Sequence, residues 1–88
     1  MNDKLIVIDS TVHSEAKQLF QQIGNVIVTD TTKLDEKTKQ AQILVIRSKT
    51  KIDREYLAVM KKLKIIATAT SGVDHIEIKA AEQKGIKI

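Results

Sequence analysis

The segment Ala67-Thr68-Ala69-Thr70-Ser71-Gly72-Val73-Asp74-His75 carries the most chemical character in the chain. It follows an apolar run, Leu63-Lys64-Ile65-Ile66, with small hydroxyl residues, one glycine and an acid. Gly72 can adopt backbone angles closed to other residues, so the chain can turn sharply and expose its N–H groups. Successive N–H groups near a helix start form a concavity suited to an anion. Thr70 and Ser71 add hydroxyl donors without bulk, and Asp74 is placed to cap a helix. A carboxylate held by two such N–H groups gains charge-assisted bonds of about 1.5–3 kcal/mol each. An ordinary strand-to-helix turn with a glycine and a capping aspartate is the plainer reading of the same residues.

Arg47-Ser48-Lys49-Thr50 follows another apolar run. Arginine offers a planar fork that matches carboxylate or phosphate, and Ser48 adds a donor beside it. An exposed, salt-bridging arginine is the plainer alternative. If the two runs are neighbouring strands, these loops converge on one small anion. Other chemistries fall away. His13 and His75 have no acidic or thiol neighbour at metal-ligand spacing, and no metal site is expected. His13 reads as a helix-start residue, and His75 as a surface or supporting residue rather than a base. Neither G-x-G-x-x-G nor G-x-x-x-x-G-K-[ST] occurs, so no nucleotide-phosphate loop is assigned. A phospho-acceptor receiver would want an acid where the third strand ends, and Arg47 stands there.

The elements that must position these groups are legible in the hydrophobic pattern. Strands are expected at Lys4 to Asp9, Asn25 to Thr29, Gln42 to Ile46 and Lys64 to Ala69, and a fifth begins at Ile86-Lys87-Ile88. Ala16, Leu19, Phe20 and Ile23 fall on one face of a helix, with Gly24 where a C-terminal cap belongs. Thr31 to Gln40 reads as a short helix or turn, and Asp53 begins a helix carrying Leu57 and Met60. Asp74 and Glu77 have capping-box spacing before a helix through Ala80, Ala81 and Lys84, which Gly85 ends. The apolar runs are continuous, as in parallel strands covered on both faces. The expected fold class is α/β, a flavodoxin-like doubly wound parallel sheet of five strands in order 2-1-3-4-5, lacking its final helix. One face of the last strands is then left open. A homo-oligomer, even a segment-swapped dimer, is expected to cover it.

Composition limits the partners. The 88 residues suit one domain with a small core, and aromatic residues at 2% make that core aliphatic. With no cysteine there is no disulfide or thiolate site, and a cytoplasmic protein is the simplest reading. No apolar run is long enough to span a membrane, and there is no signal-peptide pattern. The net charge of +4 raises nucleic acid as a partner, but the lysines are interleaved with acids. Lys61-Lys62-Leu63-Lys64 fits a solvated helix end, where cations suit the dipole, so no nucleic-acid partner is expected.

Three blocks together resemble a known family: Ile46-Arg47-Ser48-Lys49-Thr50-Lys51-Ile52, Leu63-Lys64-Ile65-Ile66, and Thr70-Ser71-Gly72-Val73-Asp74-His75-Ile76-Glu77, followed by Ala80-Ala81 and Lys84-Gly85-Ile86. Their order and spacing are similar to the N-terminal part of NAD-dependent D-2-hydroxyacid dehydrogenases, nearest the phosphoglycerate and erythronate-4-phosphate branches. The resemblance implies that residues 1–88 are one flavodoxin-like substrate-binding domain of a larger two-domain oxidoreductase. It implies that N–H groups at Ser71 and Gly72 hold the carboxylate of a small anionic 2-hydroxy or 2-oxo acid. It further implies that Arg47, Ser48 and Thr70 contact substrate, including a phosphate where there is one. Ser71 departs mildly from the small residue usual there. The family's catalytic arginine, acid and histidine, and its Gly-rich dinucleotide fold, have no counterpart here. No catalytic or cofactor-binding residue is therefore expected in the chain, NAD is expected only in the parent enzyme, and the chain alone is expected to be inactive. The alternative is an isolated or engineered structural fragment whose only activity is folding and self-association.

Overall fold

Leu5–Asp9, Asn25–Thr29, Ile43–Ile46 and Ile65–Thr68 form strands β1 to β4 in the computed structural model, which describes residues 4–69 and 75–88. All three pairings are parallel, and the order is β2-β1-β3-β4. Runs such as Ile43-Leu44-Val45-Ile46 suit this position because β-branched and aliphatic side chains project alternately to two buried faces. All of β3 is buried, as a central strand requires.

The expected fifth strand is reduced to one contact. Lys87 forms an isolated parallel bridge with Ile65 on the outer side of β4. Ile66 N–H donates to the Lys87 carbonyl at 2.8 Å, and Lys87 N–H donates to the Lys64 carbonyl at 2.9 Å. One bridge does not make a ladder, so the sheet of the described residues has four strands, not five.

Among the described residues four short helices connect and cover the strands: α1, Ser14–Phe20; α2, Glu36–Lys39; α3, Arg54–Val59; and α4, Ile78–Gln83. Their starts have identifiable causes. The His13 ring accepts from Glu15 N–H at 3.2 Å, Asp35 accepts from Thr38 N–H at 2.7 Å, and Asp53 accepts from Tyr56 N–H at 2.8 Å. The fourth helix departs from expectation. Glu77 is its N-cap and makes no side-chain cap bond, so it does not occupy the inner position of a capping box. Its carboxylate instead lies 3.8 Å from Arg54 Nε, and Asp74 lies outside the described residues.

The two faces of the sheet are unequally covered. Val7, Leu44, Ile46 and Ile66 pack with Ile52, Tyr56, Leu57, Met60, Ile76, Ala80, Ala81 and Ile86 in the larger core, beneath α3 and α4. Ile6, Ile8, Ile43 and Val45 form the smaller core with Val12, Phe20, Val26 and Ala67, beneath α1. The expected apolar face of α1 is only half realised. Phe20 and Ala16 are partly buried, while Leu19 is 66% and Ile23 43% exposed. The helix ends at Phe20, so Ile23 lies beyond its last turn, and no other helix of the described residues packs on this face to receive Leu19.

The glycines differ in kind. Gly85, at φ 75°, ends α4 in a Schellman motif: its N–H donates to Glu82 O at 2.9 Å, and Ile86 N–H donates to Ala81 O at 3.0 Å. Gly24, expected as a cap, has no positive φ. It is required by space instead, because a Cβ there would sit 2.6 Å from the Lys4 carbonyl oxygen.

Candidate functional site

Each of β1 to β4 ends at the same edge of the sheet, and polar residues that follow β1, β2 and β3 gather there. Asp9, the last residue of β1, is 1% exposed. Its Oδ1 accepts from Thr31 N at 2.9 Å and Thr31 Oγ1 at 2.8 Å. Its Oδ2 accepts from Thr11 N at 3.0 Å and from the Thr11 hydroxyl. Burial works to raise the Asp9 pKa, but these four donors outweigh it, and the carboxyl is held below its ordinary value.

The links continue around the edge. Thr31 Oγ1 lies 2.7 Å from Thr50 Oγ1, and Tyr56 Oη donates to the Thr31 carbonyl at 2.8 Å. Burial, followed by the charges of Asp9 and Asp35, pushes the Tyr56 phenol upward. Thr50 N–H donates to the Arg47 carbonyl at 3.3 Å, and Arg47 Nη1 donates to the Thr11 carbonyl at 3.4 Å. The links close into a ring: Arg47, Thr11, Asp9, Thr31, Thr50 and Arg47 again. One carboxylate thereby ties the loops that follow β1, β2 and β3.

Arg47 and Ser48 are exposed at the end of β3. Thr70, Ser71 and Gly72 lie outside the described residues. Both flanks of that segment are placed. Ala69 N–H donates to the Ile46 carbonyl at 2.8 Å, so the chain leaves β4 beside the residue that precedes Arg47. On the far side His75 is buried at 8% exposure, with Nε2 3.1 Å from Thr68 Oγ1. Its carbonyl accepts from Ile52 N–H at 2.8 Å, so His75 is a packed structural residue rather than a surface one.

A groove of about 650 Å³ lies at the opposite edge of the sheet, where Lys61, Lys62, Lys64, Lys84 and Lys87 line it. In open parallel sheets ligands bind instead outside the carboxyl ends of the strands. Among the described residues no three His, Cys, Asp or Glu side chains gather as a metal site, and no helix is long and apolar enough to cross a membrane. Gly24 and Gly85 both precede strand residues rather than opening a helix, so neither offers a dinucleotide cradle.

The buried ring was the part that sequence reasoning missed. Its signal was an acid ending a β-branched run, with threonines just beyond two neighbouring runs, Thr31 and Thr50.

Residues 6–88 match the sequence profile of the family D-isomer specific 2-hydroxyacid dehydrogenase, catalytic domain. The chain is 40% identical over 84 residues to D-3-phosphoglycerate dehydrogenase of Methanocaldococcus jannaschii, covering 92% of this chain and 16% of the relative. It is 38% identical over 82 residues to erythronate-4-phosphate dehydrogenase of Tolumonas auensis, covering 92% of this chain and 22% of the relative. The structure of D-lactate dehydrogenase from Aquifex aeolicus, complexed with NAD and lactic acid, superposes with a TM-score of 0.77 at 27% identity. That superposition covers 94% of this chain and 27% of the other. The chain thus spans well under a third of the length of these relatives. Family profile, relatives and topology agree, and the chain belongs to the D-isomer specific 2-hydroxyacid dehydrogenase family, within its catalytic domain.

Proposed function

We propose that this chain is the substrate-binding part of an NAD-dependent dehydrogenase acting on a small 2-hydroxy or 2-oxo acid, with a phosphorylated three- or four-carbon acid as the preferred class. Arg47 and Ser48 contact the acid or its phosphate, and the segment carrying Thr70, Ser71 and Gly72 supplies backbone donors to its carboxylate. NAD, bound outside these 88 residues, supplies hydride chemistry at C2; the residues here bind and orient. Orientation of this kind contributes several kcal/mol to a barrier, on the order of 10²-fold for a misplacement of ~1 Å. The observation that supports the reading is the bond from Ala69 N–H to the Ile46 carbonyl, which sets Ala69 beside the residue that precedes Arg47. The phosphate class rests on the phosphorylated substrates named for the relatives in M. jannaschii and T. auensis.

Calorimetric titration with 3-phosphoglycerate tests this. Binding that weakens about 10-fold or more in Arg47→Gln is expected, as for loss of one charge-assisted contact. Equal affinity in the two proteins would remove Arg47 from the site. The chain alone is expected to give no NADH oxidation with 3-phosphohydroxypyruvate, and turnover at enzyme-like rates would overturn that.

A second reading is favoured by the exposed apolar side chains Leu19, Ile23, Val28 and Ile65. In it the chain self-associates through this face as a homodimer, with or without segment exchange, in the cytoplasm. Sedimentation mass separates a monomer from a dimer.

A further inference from the structure

We propose that Asp9 is a positioning residue for Arg47, acting through Thr11, so that a fully buried carboxylate sets the direction of an exposed guanidinium. The proposal deepens the substrate-binding reading and rests on it for its consequence in affinity. Its geometry stands on the ring itself.

Thr11 is exposed and follows the strand, and the peptide that bears its carbonyl has one backbone tie, from Val12 N–H to the Asp9 carbonyl at 2.9 Å. Both of its donors, N–H and hydroxyl, end on Asp9 Oδ2. Those bonds hold residue 11 from its amino side, across the Cα from its carbonyl, and the Thr11 carbonyl is the acceptor of Arg47 Nη1 at 3.4 Å. That contact is the longest link of the ring, so its geometry depends most on where the acceptor is held. Asp9 in turn cannot swing, because Oδ1 holds the N–H and hydroxyl of Thr31. An ionised carboxylate is acceptor-only and can serve donors on both oxygens. An asparagine cannot: it presents one carbonyl oxygen and one NH₂, and the Thr11 and Thr31 backbone N–H groups lie on opposite sides. Asp9→Asn therefore sets an NH₂ against a backbone donor on one side or the other.

The test uses the full chain labelled with ¹⁵N-arginine. Arg47 and Arg54 are its arginines, and Arg54 faces Glu77 rather than the ring, so it is an internal control. In the wild type the Arg47 Nε–H signal is expected to be motionally restricted. In Asp9→Asn it is expected to approach free arginine while Arg54 is unchanged. Thr11→Val, at an exposed site, removes only the hydroxyl link and is expected to have an intermediate effect; it decides the matter if Asp9→Asn does not fold. With 3-phosphoglycerate as probe, Asp9→Asn is expected to weaken binding about 5- to 10-fold, and to add nothing in an Arg47→Gln background, as residues acting through one another do. An Arg47 signal unaltered in folded Asp9→Asn or in Thr11→Val overturns the proposal, as does a double variant whose losses multiply. If the wild type does not bind the probe but Arg47 still loosens in the variants, the substrate reading falls and the positioning role stands.

Discussion

Thr50 donates its hydroxyl proton to Thr31, not the reverse. The Thr31 hydroxyl has one proton, and it is spent on Asp9 Oδ1 at 2.8 Å, so the 2.7 Å contact between the two threonines must run from Thr50. The direction of the whole chain of bonds follows from the one acceptor-only group at its end.

Thr31→Val is expected to destabilise by about 1–3 kcal/mol, because it removes one donor from a buried carboxylate and strands the Thr50 hydroxyl. Thr32→Val, at an exposed site bonded to half-buried Asp30, is expected to cost well under that. Urea unfolding measures both. Equal costs would mean that the ring contributes no more than a surface turn.

The chain is expected to lose stability in acid because of Asp9. Its folded pKa is held below its ordinary 3.8, so the stabilisation is fully present above about pH 5 and disappears as pH falls through the folded value. Asp30 and Asp35 are lowered too, first by bonds from Thr32 and Thr38 respectively, but both are solvent-screened and contribute less. Unfolding curves between pH 2 and 7 are expected to be flatter for Asp9→Asn than for the wild type. Parallel curves would show that Asp9 titrates alike in both states.

The two glycine-to-alanine changes should differ in mechanism. Gly85→Ala meets no atom within 4 Å and is expected to cost about 1–2 kcal/mol, the backbone strain of a side chain at φ 75°. Gly24→Ala drives a Cβ against the Lys4 carbonyl and is expected to cost more, about 2–3 kcal/mol, because β1 and its neighbouring loop must shift. Melting temperatures rank them, and the reverse order would contradict the close approach.

Leu57→Ala empties a fully buried position and is expected to cost about 2–5 kcal/mol. Leu19→Lys is expected to leave monomer stability within about 0.5 kcal/mol. If the face carrying Leu19 and Ile65 joins two copies, the same lysine shifts sedimentation toward monomer. An unchanged mass for a protein that is dimeric as wild type would place the contact elsewhere.

Local chemistry made the scaffold readable. Continuous β-branched runs marked four parallel strands, and Asp53 and Gly85 marked a helix start and a helix end by means that act within a few residues. Apart from the capping box expected at Glu77, the misreadings concern longer range. Gly24 was read as a local cap, but its cause is Lys4, twenty residues away in sequence and in contact in space. Leu19 matched helical periodicity, yet periodicity does not say whether a partner layer exists to cover it. The Asp9 ring joins three loops distant in sequence, and only the strand order brings them together. Arg47 and Ser48 stood out by residue type, and the sheet does place them on its carboxyl edge. Thr70, Ser71 and Gly72 lie outside the described residues, and their roles stay with the proposal.

The two ionisable members of the buried cluster are displaced in opposite directions, Asp9 downward and Tyr56 upward. The gap between their titrations is therefore wider than for the free side chains, and neutral pH lies well inside it. The charge that these two groups set at the carboxyl edge of the sheet is therefore a single negative unit around neutrality, a standing field that small swings of acidity do not modulate.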